Sequence, residues 1–186
     1  MNYFLDDATG CGYSDGIMSD LTAYIDGGTR GNPRSSGIGV VMEHAGGRRV
    51  EISQWIGADD NNYAEYAALL VALEYAVAFR CRRLQVFSDS EVVVKQIKGE
   101  YSCQSPALQH IYQRCKDLIG FLDEFAIAHI RREFNSEANR LVSAAMQRAG
   151  NADDEEFLVL LGLTPPPDLA SQPDLQPAFA PEALEN

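Results

Sequence analysis

The sequence predicts an α/β domain: a mixed five-stranded sheet, three antiparallel strands plus two parallel ones, flanked by helices. Three observations carry this. Between residues 20 and 150 the patterns run strand–strand–strand–helix–strand–helix–helix–strand–helix. Early strand-like runs follow one another without a helix between them, whereas the later ones are separated by helices, as parallel crossovers require. The last segment repeats apolar residues at helical spacing over Ala138, Leu141, Val142, Ala145, Met146 and Ala149.

Taken in order, Leu21–Asp26 reads as the first strand. Gly37–Glu43 and Arg49–Ile56 read as two more, joined by a turn at Ala45-Gly46-Gly47. Asn62–Phe79 is rich in Ala and Leu, with Glu65 and Glu74 as its only charges, and reads as a helix apolar nearly all round. Leu84–Ser88 is a strand, and Glu91–Ile97 a helix that Gly99 ends. Pro106–Leu122 is a further helix, Phe125–Arg131 a strand, and Ser136–Ala149 the last helix, stopped by Gly150. Residues 1–19, rich in Asp, Gly and Ser, read as an irregular extension to a domain at 20–150. Residues 151–186 read as an acidic tail, largely disordered, with six of the eight prolines after position 163. The apolar patch Phe157–Leu161 interrupts it, either docking on the core or marking a partner site.

Composition narrows the function classes. No run reaches the ~18 apolar residues of a membrane span. The first twenty residues have neither the basic start nor the apolar run of a secretory signal, so a cytoplasmic protein without membrane contact is expected. Cys11, Cys81, Cys103 and Cys115 show no CxxC pair, and reduced thiols are expected. The net charge of −12 argues against nucleic-acid binding until its distribution is seen. All 15 Lys and Arg lie between Arg30 and Arg148, and residues 19–150 carry 16 acids, a net of −1. A near-neutral core can hold a local basic stripe, here Lys95, Lys98, Arg131 and Arg132, and local field governs phosphate binding. The acidic tails either compete for that stripe or only keep the chain soluble.

Four segments place acidic residues, or a residue standing where one belongs, at the ends of predicted elements. Tyr24-Ile25-Asp26-Gly27-Gly28 ends a strand and runs on into Thr29-Arg30-Gly31-Asn32-Pro33. It reads equally as a glycine-rich turn or as backbone that comes close to a ligand. In Asn61-Asn62-Tyr63-Ala64-Glu65, Asn62 and Glu65 have the spacing of a helix capping box, which would explain Glu65 without chemistry. Yet Glu65 is also an isolated charge at a core-facing helix end. In Phe87-Ser88-Asp89-Ser90, Asp89 reads as a helix-capping acid, or as a carboxylate at the C-terminal edge of a parallel strand, where α/β sites gather. The fourth segment, Asn135-Ser136-Glu137-Ala138-Asn139-Arg140-Leu141, carries Asn139 rather than a carboxylate. His129, inside a predicted strand, reads as a structural or buried histidine rather than a general base.

Together the segments are far more specific than any one of them. YIDGGTRGNP (24–33), NNYAEY (61–66), FSDSEVVVKQIKGEY (87–101) and HIRREFNSEANRL (129–141) stand in an order and spacing that resembles the type 1 ribonuclease H family, in its compact archaeal-like bacterial branch. The resemblance implies a ribonuclease-H-like fold over residues 20–150. It implies an endonuclease that binds RNA–DNA hybrids and hydrolyses the RNA strand with two Mg²⁺ ions, Mn²⁺ serving as substitute. Two such ions ~4 Å apart can activate a water and stabilise the leaving oxygen. Asp26, Glu65 and Asp89 match the family's metal-binding and catalytic carboxylates, and Asn139 stands at its fourth position, where the family has Asp. Gly27, Gly28, Thr29, Arg30, Asn32, Asn61, Asn62, Ser90, Lys95, Lys98 and Arg132 are the expected hybrid-contacting residues. The protein is expected to act as a monomer. Asn139 keeps the shape of Asp and one carbonyl oxygen but loses the charge, so attenuated activity is expected. Glu137 is not placed to compensate, because positions i and i+2 do not share a helix face. The alternatives are a non-catalytic module that binds hybrid or double-stranded RNA, and a domain repurposed for protein contacts through Phe157–Leu161.

Overall fold

A computed structural model describes residues 20–31 and 34–148. The predicted extension, the acidic tail with Phe157–Leu161, Cys11 and Asn32 lie outside the described residues. Five strands, β1 (Asp20–Arg30), β2 (Ser35–His44), β3 (Arg49–Gly57), β4 (Arg83–Ser88) and β5 (Glu124–His129), form one sheet in the order β3-β2-β1-β4-β5. The first three pair antiparallel, and β4 and β5 join parallel to β1. Among the described residues the helices are α1 (Asn61–Ala78), α2 (Glu91–Lys98), α3 (Pro106–Ile119) and α4 (Ser136–Gln147), with one 3₁₀ turn at Arg132–Phe134. This is the predicted mixed sheet. None of the described helices is long and apolar enough to cross a membrane.

The helix α1 is apolar all round because it is covered all round. Every residue from Ala64 to Leu73 is buried, between the sheet and α3. Leu69, Leu70 and Leu73 are wholly enclosed, each worth about 2 kcal/mol of apolar burial. The helix α4 shows the narrower stripe of a surface helix and buries Ala138, Leu141, Val142 and Ala145 against β2, β3 and β1. Ser90 caps α2, and Gly99 closes it in the left-handed conformation at φ 80°.

Several boundaries differ from expectation, each for a local reason. Strand β1 continues past Asp26 to Arg30, because Gly27 and Gly28 stay in register with Ile38 and Gly37 of β2. Helix α3 stops at Ile119, three residues early. Strand β5 ends at His129, where its ladder with β4 ends at Ser88. The cap of α1 is Asp60, whose carboxylate accepts from the Tyr63 amide at 2.8 Å. The expected Asn62–Glu65 capping box is therefore absent, and Glu65 is left free for another partner. His129 is exposed, not buried.

Gly27 and Gly28 are held by packing. A Cβ on Gly27 would lie 2.2 Å from the Ala64 carbonyl carbon and the Glu65 amide nitrogen, and one on Gly28 would lie 2.9 Å from Val142. The α1 obstacle is backbone and cannot swing aside. Gly27→Ala is expected to cost about 3 kcal/mol or more, at the upper end of overpacking effects. The check is a drop in the urea midpoint, with a much smaller drop for Gly46→Ala, where nothing lies within 4 Å.

Candidate active site

The topology brings the acidic segments to one edge of the sheet. Ile25 pairs with Ser88 across parallel strands, so Asp26 and Asp89 follow at the same level on neighbouring strands. Glu65 arrives from the other direction. The close contact between α1 and Gly27 puts its carboxylate within reach of β1, and Glu65 Oε2 accepts from the Gly27 amide at 3.3 Å. One ligand oxygen from each of Asp26, Glu65 and Asp89 lies within 4.8 Å of the others.

Asp26 is 4% exposed and Glu65 6%. Burial pushes the Asp26 carboxyl up to about 7, with the Asp89 charge adding to the rise and Arg132 opposing it. Burial likewise drives Glu65 well above the usual carboxylate range, followed by the charges of Asp26 and Asp89. The closeness of the three acids and the burial of two of them disfavour ionisation of Asp26 and Glu65. A hard divalent cation relieves this and accepts an all-oxygen donor set. The residues present therefore fit such an ion.

Asn139 lies on α4, which packs against β2, β3 and β1. Asp26 is the register partner of Gly39, and a Cβ on Gly39 would lie 2.2 Å from the Ala138 carbonyl oxygen. The first turn of α4 thus lies against the strand position opposite Asp26. The Asn139 Nδ2 donates to the Asn135 carbonyl at 2.8 Å, and its buried Oδ1 has no hydrogen-bond partner among the described residues. Glu137 turns away to Arg49 of β3 at 2.5 Å, as the helix spacing required.

One residue of the site escaped the sequence reading. Asn135 is 1% exposed, and its Nδ2 donates both to the Ile25 carbonyl at 2.9 Å and to Asp89 Oδ1 at 2.8 Å. Its position four residues before Asn139 was the available signal.

The expected hybrid-contacting residues divide. Asn61 and Asn62 are exposed in the first turn of α1, and Arg30 is exposed at the end of β1. Arg132 is exposed and close enough to lower the proton affinity of both Asp26 and Glu65. Lys98 is exposed at the end of α2. Other groups are engaged internally. Thr29 Oγ1 shares a hydrogen bond with Ser36 Oγ at 2.9 Å and donates to the Asp59 carbonyl at 3.2 Å. The Ser90 hydroxyl faces the Val93 amide as the cap of α2. Lys95 pairs with Glu91 at 2.6 Å and bonds the Tyr101 hydroxyl at 3.1 Å. Arg131 pairs with Glu133 at 3.7 Å. A cleft lined in part by Asp20, Arg83, Asp123 and Phe125 opens at the opposite end of the strands and contains none of these groups.

Comparison with known proteins agrees with this geometry. A family model described as "Reverse transcriptase-like" matches residues 24–145. Ribonuclease HI of Halobacterium salinarum is 36% identical over 128 residues, covering 68% of this chain and 64% of that protein. A bifunctional protein of Mycobacterium tuberculosis is 34% identical over 129 residues, which is 35% of its own length. The chain thus spans less than two thirds of these curated relatives. The crystal structure of RNase H1 from the same Halobacterium species superposes with a TM-score of 0.65 at 35% identity, covering 70% of this chain and 99% of that one. LC11-RNase H1, isolated from compost by a metagenomic approach and crystallised with an RNA/DNA hybrid, matches with the same TM-score, identity and coverage.

Fold and site together define a ribonuclease-H-like α/β domain with an acidic cluster at the C-terminal edge of its central parallel strands. The chain belongs to the type 1 ribonuclease H family.

Proposed function

We propose that this chain is an endonuclease that hydrolyses the RNA strand of RNA–DNA hybrids, using two divalent cations held by Asp26, Glu65, Asp89 and Asn139. The observation that carries the reading is the convergence of three carboxylates within 4.8 Å, two of them buried, on this fold. Mg²⁺ bound there, or Mn²⁺ in its place, supplies Lewis-acid stabilisation of the charge that builds on the attacked phosphate. Asp26 and Glu65 must give up their protons to serve as ligands, and burial makes each a reluctant anion until it is paired. Arg132 offers a guanidinium to a phosphate oxygen at the rim of the cluster. Asn61 and Asn62 present amides that suit the 2′-hydroxyls of a minor groove, the feature that separates RNA from DNA. Arg30 and Lys98 are exposed bases that suit phosphate contact. The buried thiols of Cys103 and Cys115 suit a reducing compartment such as the cytoplasm.

The test is incubation with a labelled hybrid in Mg²⁺, in Mn²⁺ and in EDTA. Shortened RNA is expected with either metal and none with EDTA. A second reading, a module that binds hybrid without cutting it, is favoured by the missing charge at Asn139. Tight binding with no cleavage in either metal would select it.

Phosphate contacts make binding salt-dependent. Arg132→Ala is expected to weaken hybrid binding in EDTA and to reduce the slope of log affinity against log salt by about 1. Fluorescence anisotropy across a salt series checks this.

A further inference from the structure

We infer that Asn135 is a positioning residue of the divalent-cation site. It ties the carboxylate of Asp89 and the amide of Asn139 to β1, so that the donor set is assembled before any ion arrives. This deepens the proposed function and rests on its metal-site reading.

The side chain breaks a local rule. Asn135 is the N-cap of α4, a position where Asn ordinarily turns its oxygen onto the first amides of its own helix. Here it makes no such bond. It turns instead across the fold, donating to the Ile25 carbonyl of β1 and to Asp89 after β4. Both partners are acceptors, so the amide nitrogen must face them, and this orientation follows from chemistry alone. The consequence is that Oδ1, in a residue 1% exposed, has no hydrogen-bond partner among the described residues. A lost cap and an orphaned oxygen are both destabilising, and local consistency is given up most often at functional sites.

What the arrangement gains is order. Asp89 is the only one of the three clustered carboxylates that is not buried. An amide donor on one of its oxygens fixes its rotation and leaves the other oxygen to face the cluster. The Asn135 carbonyl meanwhile accepts from both the backbone amide and Nδ2 of Asn139, so the same residue sets which atom Asn139 can present. Outer partners of this kind hold metal ligands in place, and their loss commonly lowers metal affinity by about 10–100-fold.

The test compares wild type, Asn135→Ala and Asn135→Leu. Leucine keeps the volume and removes the donor, so a role in packing alone predicts wild-type behaviour for it. Calorimetric titration with Mn²⁺ reads metal affinity without substrate, and hybrid binding in EDTA reads the groove. The expected result is a loss of about tenfold or more in Mn²⁺ affinity for both variants, with hybrid affinity in EDTA unchanged within about twofold. Variants that fold and bind Mn²⁺ as tightly as wild type would overturn the inference and leave the proposed function standing. Wild type that binds no Mn²⁺ would remove both. Wild-type protein labelled with ¹⁵N gives a reading that needs no variant. The Asn135 side-chain amide signal is expected to shift on Mg²⁺ addition with the midpoint of metal binding, and a signal unmoved at saturating Mg²⁺ would overturn the inference.

Discussion

Asp26→Asn is expected to abolish hybrid cleavage in both Mg²⁺ and Mn²⁺, a loss of about 10³-fold or more, while making the metal-free protein more stable at alkaline pH. Both effects come from one charge. Asp26 sits on the central strand, nearly sealed from water, and its removal takes one buried carboxylate from the cluster. The stability effect has a definite sign. Its folded-state proton affinity is raised from 3.8 to about 7, so folding favours the protonated form. That contribution is fully present below the unfolded value, about pH 4, and is lost as pH rises through about 7. Metal-free wild type should therefore melt at a lower temperature at pH 8 than at pH 5. The Asn variant, neutral throughout, should lose less, and Mg²⁺ should raise the wild-type melting temperature at pH 8 but not that of the variant. Melting curves at the two pH values, with EDTA and with Mg²⁺, check this. Equal pH slopes in EDTA would contradict the electrostatic account of Asp26.

Asn139→Asp is expected to raise the Mg²⁺-dependent rate by about 10–100-fold, with hybrid affinity in EDTA unchanged within about twofold. The structure gives the reason beyond charge alone. Asn139 is tethered by its Nδ2 to the Asn135 carbonyl, a bond that a carboxylate cannot make. Asp at this position would be repelled by that carbonyl and drawn toward cations, so both charge and orientation change in the favourable direction. Mn²⁺ tolerates a neutral oxygen donor in place of a carboxylate better than Mg²⁺ does, so the gain in Mn²⁺ should be smaller. Single-turnover rates in each metal measure it. No gain in Mg²⁺ would mean that the fourth position contributes nothing to the cation site.

Much of this was legible in the chain because the signals were redundant. The split into three antiparallel and two parallel strands followed from which strands lack a helix between them, and Asp26, Glu65 and Asp89 stood in segments whose order fixed the family. Where the reading went astray, local chemistry allowed two outcomes. Asn62 and Glu65 have capping-box spacing, but Asp60 captured the cap two residues earlier and freed Glu65 for the Gly27 amide. Gly27 and Gly28 offered a turn or a ligand approach. The structure shows no turn: both lie inside an extended strand, pressed against α1 and α4, a tertiary contact that no local pattern encodes. Thr29 and Ser90 were expected to face substrate as short polar groups. Their hydroxyls are bonded within the protein, to Ser36, Asp59 and Val93. Asn135 stands just before the predicted last helix, with no other local mark, and only its partners on β1 and beyond β4 reveal its use.

The central claim is that the acidic cluster holds the catalytic cations. The most direct measurement is anomalous diffraction at the manganese edge, from crystals grown with Mn²⁺ and with protein that cuts hybrid in the same buffer. The account predicts strong anomalous density in contact with the carboxylates of Asp26, Glu65 and Asp89, absent from Asp26→Asn crystals. Active protein whose manganese lies elsewhere, with the three carboxylates bare, would contradict it.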